Sequence, residues 1–200
     1  MTHKIIHPKM FYYGFPVVLL TTCGISGKNN ISPISSSWVL SDNIIIGLGT
    51  QGKAFENINE CPEVVVNIPD QTLWQQVEAI APFTGKFPIP DFQQGTYSFC
   101  EDKFKIGNFT IQQAEKVRPS RIKECPLQAE TKVENINIRN GFAIIELKIQ
   151  VVHALPHLVY DDKILPEQWK PLIYNFRCYQ GLGEILGRNF REETKKLPQN

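Results

Sequence analysis

Between two apolar runs the sequence reads NNISPISSSWVLSD, residues 29–42. Its amides and hydroxyls, at Asn30, Ser32, Ser35, Ser36 and Ser37, run up to an indole, Trp38. Each serine brings one O–H donor and two acceptor lone pairs, and the backbone adds N–H groups. Such a strip suits a planar heterocycle bearing carbonyls and ring nitrogens, with Trp38 packed beside it. A plainer account is a polar strand on the outside of a barrel with Trp38 turned into the core. Composition alone does not separate the two.

A second cluster follows in GLGTQGKA, residues 47–54. Thr50 offers a hydroxyl, Gly52 lets backbone approach closely, and Lys53 supplies a cation at a helix start whose N–H groups are free. That chemistry suits a phosphate. The plainer account is an ordinary helix capped by Thr50 with a solvated lysine. The glycine spacing superficially matches a dinucleotide fingerprint. However, no second parallel strand with an acidic end follows, because Asp70 comes directly after a proline.

Other chemistries find no footing. There is no G-x-S-x-G elbow, H-E-x-x-H pair or P-loop. His153 and His157 are separated by Pro156, which argues against a helical metal pair. The five cysteines are odd in number and widely spaced, so buried reduced thiols are expected and neither a disulfide framework nor a metal site. A formal net charge of +1 creates no field for nucleic acid or an anionic membrane. RPSRIKE, residues 118–124, reads as a solvated edge. The apolar run near the N-terminus is too short to span a bilayer, and a cytoplasmic location is expected.

These clusters need elements to hold them. Residues 16–23 and 63–69 read as strands, as does 43–50, where three consecutive isoleucines imply burial on both faces. Residues 31–39 read as a strand or an extended segment. A short helix is expected over 50–61, stopped by Pro62, and another where Leu73, Trp74, Val77 and Ile80 recur at helical spacing. Residues 82–100 are loop-like, and DKFKIG suggests a short helix. The RNG at 139–141 signals a hairpin between two long runs. Strands outnumber helices, and none of the helices falls in 120–152. The expected fold is therefore mainly β, an antiparallel barrel with peripheral helices, over residues 1–187, with a polar tail at 188–200.

From Pro16 onward, the order of pieces resembles the flavin reductase-like, FMN-binding split-barrel family. Pro16 precedes a strand ending in Thr21 and Thr22. Asn30 to Ser35 forms an Asn-x-x-Pro-x-Ser segment, a helix carries Asn57 and Ile58, and a strand ends in VNIP. DKFKIGNFT, RPSRIKECPLQAE, IIELKIQVVHA and KPLIYNFRCYQGLG resemble the family's later segments. The resemblance implies a homodimer of split barrels, one FMN per subunit near the dimer interface, and NADH or NADPH as electron donor. A redox protein or monooxygenase would receive the electrons. It implies that Ser35 to Trp38 line the flavin, and that Thr50 and Lys53 approach its phosphate with Lys103 or Arg177 helping. Asn30, Ser32, Gly52 and Asn57 complete the implied cofactor set, and His153 and Tyr174 are candidates on the nicotinamide or interface side. Two other readings stay open: an electron carrier with no nicotinamide activity of its own, and a binding module with no catalysis.

Overall fold

A computed structural model describes residues 1–189 of the 200-residue chain. The polar tail expected at 188–200 thus lies outside the described residues from position 190 onward. The early strands are β1 (Tyr13–Pro16), β2 (Val18–Cys23), β3 (Asn29–Ile34), β4 (Ser37–Leu40), β5 (Asn43–Gly49) and β6 (Glu63–Ile68). Short pieces follow: β7 (Phe83–Thr84), β8 (Ser98–Phe99), β9 (Ile111–Gln112) and β10 (Arg121–Ile122). The long hairpin is β11 (Leu127–Ile138) and β12 (Phe142–Ala154). Then come β13 (Val159–Tyr160), β14 (Lys163–Ile164), β15 (Ile173–Asn175) and β16 (Cys178–Gln180). Three helices, α1 (Lys53–Glu60), α2 (Trp74–Ile80) and α3 (Lys103–Ile106), lie at the periphery.

Seven strands form one antiparallel sheet in the order β3-β2-β6-β11-β12-β5-β4. Its outermost members, β3 and β4, are consecutive in the chain and separated only by Ser35 and Ser36. Three Cα–Cα steps span at most about 11 Å, whereas a flat sheet of this many strands is about 29 Å wide. The sheet must therefore curl until its two edges meet. No ladder joins β3 to β4, so the barrel is split there and open along one seam.

Curling gives the sheet an inside and an outside, both covered. Val18 and Leu20, Ile44 and Ile46, Val64 and Val66, Ala129, Ile145 and Leu147 fill the interior with Ala54 and Ile58 of α1. On the opposite face, Val17, Leu19 and Ile31 pack against Leu73, Val77 and Ile80 of the α2 region and Phe104 of α3. Every residue of β2 is consequently buried, and so are Ile44, Ile45 and Ile46. This is why both runs look continuously apolar instead of alternating.

The segment read as one extended piece over 31–39 is two strands with a corner at Ser35–Ser36. Helix α1 starts three residues later than expected. Its N-cap is Gly52, without a side-chain cap, and Thr50 is not the capping residue. The hairpin turn falls at 139–141, as expected, with Gly141 at φ +83°.

One buried polar side chain ties the layers together. Asn67 on β6 is fully buried; its Nδ2 donates to Leu19 O (3.0 Å) and Thr21 Oγ1 (2.8 Å). Its Oδ1 accepts from Ile122 N at 2.8 Å, anchoring β10. Asn67→Ala strands these partners away from water. It is expected to cost on the order of 2–4 kcal/mol in urea unfolding without changing the strand content seen by circular dichroism.

Candidate functional site

The corner at Ser35–Ser36 is pinned on both sides. Ser36 Oγ donates to Gly47 O at 2.8 Å, and Gly47 N donates to Ser36 O at 2.9 Å. A side chain at position 47 would press on Ser36, since a Cβ there would lie 3.3 Å from Ser36 Cβ. Along this seam runs a cleft of about 670 Å³. Ser32, Ser35, Ser36, Gly47 and Gly49 form its floor, Gly52 to Phe55 one side, and Thr84, Gly85, Gln93 and Tyr97 another. Tyr174 and Tyr179 come from β15 and β16, Arg177 from the turn between them, Tyr12 from the residue before β1, and Lys103 from α3.

Donors predominate in the cleft. The Ser35 hydroxyl has no hydrogen-bond partner among the described residues. Asn30 Nδ2 donates to Ser32 Oγ at 3.0 Å, which leaves the Ser32 O–H free to donate. The helix begins here with no side chain over its first N–H groups, an arrangement that favours an anion. Lys53 Nζ meets Glu56 Oε1 at 2.5 Å, and Lys86 pairs with the other oxygen of the same carboxylate. The cluster of two lysines and one glutamate therefore keeps one net positive charge.

Lys103 is buried and donates to Ile31 O at 2.9 Å. Burial pushes its ammonium down to about 8. Opposite in character is Gln93, whose Oε1 is buried and has no partner among the described residues. An orphaned acceptor costs about 1–3 kcal/mol, and a ligand N–H in the cleft removes that cost. Tyr179 Oη donates to Glu78 Oε2 at 3.0 Å, and burial together with that carboxylate raises its pKa.

Of the residues anticipated from sequence, Ser32, Ser35, Ser36, Gly52, Lys53, Lys103, Tyr174 and Arg177 come together in the cleft. Others do not line it. Asn30 stands behind Ser32, and Ser37 is buried on β4. Asn57 is fully buried and donates to Thr22 Oγ1 at 3.1 Å, a tie between α1 and β2. Thr50 is held by its N–H to Gly141 O at 3.3 Å. Trp38 is neither beside the cleft nor in the core; it is 57% exposed on the edge strand β4.

His153 sits elsewhere, in a second cavity of about 360 Å³ with Arg121, Lys123 and Gln128. There its Nε2 lies 2.8 Å from Oε1 of the fully buried Glu130. Burial alone would raise the Glu130 carboxyl. The N–H groups of Glu115 and Lys116 and the His153 imidazole outweigh burial and hold its pKa below the usual glutamate value. Arg121 is likewise engaged by Gln113 O and Gln128 Oε1. This cavity is walled by a satisfied structural network.

Sequence reasoning missed Tyr12, Gln93 and Tyr179, which lie on segments far from the serine corner. Among the described residues, no group of His, Cys, Asp and Glu is placed to hold a metal ion, and all five cysteines are free thiols. Burial and the neighbouring Cys61 push Cys23 up to about 12, so Cys23 stays a thiol at neutral pH. No helix of the described residues is long and apolar enough to cross a membrane.

The profile of the family described as "Flavin reductase like domain" matches residues 10–183. The chain belongs to that family. An uncharacterized protein, YdfE of Bacillus subtilis (strain 168), is 43% identical over 196 residues, covering 96% of this chain and 95% of that one. Among solved structures, flavoredoxin of Desulfovibrio vulgaris (Miyazaki F) superposes with a TM-score of 0.80 at 19% identity, over 95% of this chain and 98% of that one. Component B of nitrilotriacetate monooxygenase from Bacillus cereus gives 0.75 at 18% identity, over 94% and 100%. The split-barrel fold and the flavin reductase-like family expected from sequence are both upheld.

The cleft fits a flavin in chemical character: a floor of glycines and hydroxyls, an orphaned acceptor for an N–H, and cations on two walls. Lys103 gives this fit a pH signature. Its charge is present below about pH 8 and lost above it. In calorimetric titrations with flavin mononucleotide as probe, affinity is expected to fall as pH rises through about 8. Lys103→Met removes that step.

Proposed function

We propose that this protein is an FMN-binding oxidoreductase that accepts a hydride from NADH or NADPH and passes electrons onward. The observation that carries the reading is the seam of the barrel. In a chain that matches the flavin reductase family over 10–183, it presents hydroxyls, an open helix start and Lys53 to one cleft. FMN is preferred because the helix start and Lys53 form a compact seat suited to a terminal phosphate.

When bound, the flavin supplies the hydride-accepting chemistry. The protein's share is positioning and electrostatics. Ser32 and Ser35 offer O–H groups to ring acceptors, and Gln93 Oε1 accepts a ring N–H. Lys103, reaching the cleft from α3, would add positive charge beside a bound anionic ring. No general acid or base is required for hydride delivery. The tyrosines of the β1/β15/β16 sheet keep part of the cleft apolar for a second planar ligand. A monooxygenase or small redox protein is the proposed electron acceptor, in keeping with the likeness to nitrilotriacetate monooxygenase component B.

A homodimer is part of the same proposal. Trp38, Phe142 and Ile144 share one face of the sheet and are exposed by 57%, 47% and 38%. Beside them β4 leaves a free edge, and such a face is ordinarily covered. Trp38→Lys with Ile144→Asp is expected to convert a dimer into a monomer in light scattering. A wild-type protein that is already monomeric overturns this.

The purified protein is expected to be yellow, to release FMN on heating, and to bleach anaerobically on addition of NADH or NADPH. A flavin reduced by dithionite but by neither nucleotide identifies an electron carrier instead. Lys53→Ala is expected to weaken FMN by about tenfold, from loss of a charge-assisted bond, and to leave riboflavin unchanged. Glu56→Gln frees Lys53 and is expected to tighten FMN. Equal losses for both ligands refute the phosphate seat.

A further inference from the structure

Several hairpin turns place residues at positive φ, Ser41 (φ 56°) between β4 and β5 among them, and they differ in how they fill it. The 139–141 turn uses Gly141. The turn between β13 and β14 uses Asp161 (φ 50°) and Asp162 (φ 57°), and aspartate tolerates this region. The β15–β16 turn puts Phe176 (φ 44°) and Arg177 (φ 70°) there. A two-residue turn with both central φ positive takes Asn-Gly most readily. A bulky aromatic and an arginine in that position carry strain, which persists only where the surroundings enforce it.

The surroundings do enforce it. Phe176 N donates to Tyr12 O at 2.7 Å, and its ring meets Phe11 edge-on at 6.1 Å. Arg177 Nε points at Met10 Sδ, 3.1 Å away. The N-terminal segment thus clamps the turn from both sides. Met10 is an uncharged, weak acceptor, so it orients the guanidinium without neutralising it. No carboxylate among the described residues lies within ion-pair distance of Arg177. By contrast Lys53 is paired with Glu56, and Lys103 is buried. Arg177 is exposed, lines the cleft, and belongs to a different wall from α1.

We propose that Arg177, presented by this strained turn at the rim of the cleft, receives a phosphate group of the pyridine dinucleotide that delivers the hydride. The assignment rests on the functional reading above and moves Arg177 from the flavin phosphate to the donor. The helix start with Lys53 already seats the flavin's anionic tail in the interior. A ligand that enters after the flavin and leaves on every turnover meets the rim. There the planar donor fork of an arginine, free of a carboxylate, grips phosphate oxygens two at a time. The strain is the structural cost of aiming that fork.

The test uses Arg177→Gln, Arg177→Lys and Arg177→Gly in the flavin-loaded protein. It reads KM and kcat for NADH and NADPH, FMN affinity by fluorescence quenching, displacement by adenosine 2′,5′-bisphosphate, and melting temperature. Arg177→Gln is expected to raise the donor KM about tenfold, the effect of losing a charge-assisted pair, with kcat and FMN affinity unchanged. It also loses the inhibition by the bisphosphate. Arg177→Lys restores part of the KM. Arg177→Gly raises KM equally yet melts a few degrees higher, roughly as expected for relief of a left-handed non-glycine residue. A rise confined to NADPH places the contact at the 2′-phosphate, and an equal rise places it at the pyrophosphate; both support the proposal. An unchanged donor KM, or a tenfold loss of FMN affinity at constant donor KM, overturns it while leaving the functional reading intact. A wild-type flavin that neither nucleotide reduces overturns both.

Discussion

Two residues, Ser35 and Ser36, connect the first and last strands of a seven-stranded sheet, and everything at the site depends on that short bridge. A connection of that length cannot cross a flat sheet, so the sheet curls. Curling produces the interior core and leaves a seam in which backbone is not consumed by a ladder. The reciprocal hydrogen bonds between Ser36 and Gly47 hold the bridge against β5. The Ser36 hydroxyl, a candidate ligand donor by residue type, gives its one O–H to this structural task. Ser32 and Ser35 are the hydroxyls left for a ligand.

The electrostatics follow from the same geometry. Because α1 begins directly after β5, its unshielded start lies beside the bridge, and Lys53 in its first turn faces the cleft. Glu56, one turn further, binds both Lys53 and Lys86. A carboxylate held by two lysines tempers the positive field without cancelling it. This keeps the empty cleft stable and leaves net attraction for an anion. Lys103 acts differently. Its low pKa comes from burial, so an arriving negative charge recovers a desolvation cost already incurred in folding.

How much of this was legible in the sequence depends on whether the signal is local. The strand of three isoleucines, the RNG hairpin and the helix start near Lys53 are local patterns, and each lies where expected within a few residues. Asn57 and Trp38 show where local reading fails. Asn57 resembles a ligand-facing amide, but its helix turns it onto Thr22 in the core. Trp38 ends a polar run, yet the corner at Ser35–Ser36 shifts the strand register and places the indole on the outer face. His153 shows a third kind of failure. Its partner Glu130 is 23 residues away across a β ladder, and no spacing in the sequence reveals that a fully buried carboxylate already claims the imidazole. Tyr12, Gln93 and Tyr179 converge on the cleft from three separate segments, a result of tertiary folding that residue type alone does not encode.

The split barrel carries two unpaired strand edges, and unpaired edges invite aggregation unless they are covered. The chain treats its two edges oppositely. β3 meets the cleft through Ser32, Pro33 and Ile34, where a proline removes one backbone donor and a ligand can shield the rest. β4 presents Trp38, Val39 and Leu40, each more than half exposed, with no charged residue among them. An edge that faces solvent without pairing ordinarily carries lysine or proline, which block addition of another strand, and β4 carries neither. The two edges therefore differ in character: β3 borders a polar cleft, and β4 offers the apolar face assigned above to the proposed dimer. Because only Ser35 and Ser36 separate them, covering one edge constrains the other. In the proposed dimer, a second subunit docked at β4 would hold the corner whose serines form the floor of the cleft, so subunit assembly and ligand binding are expected to reinforce each other through that single bend.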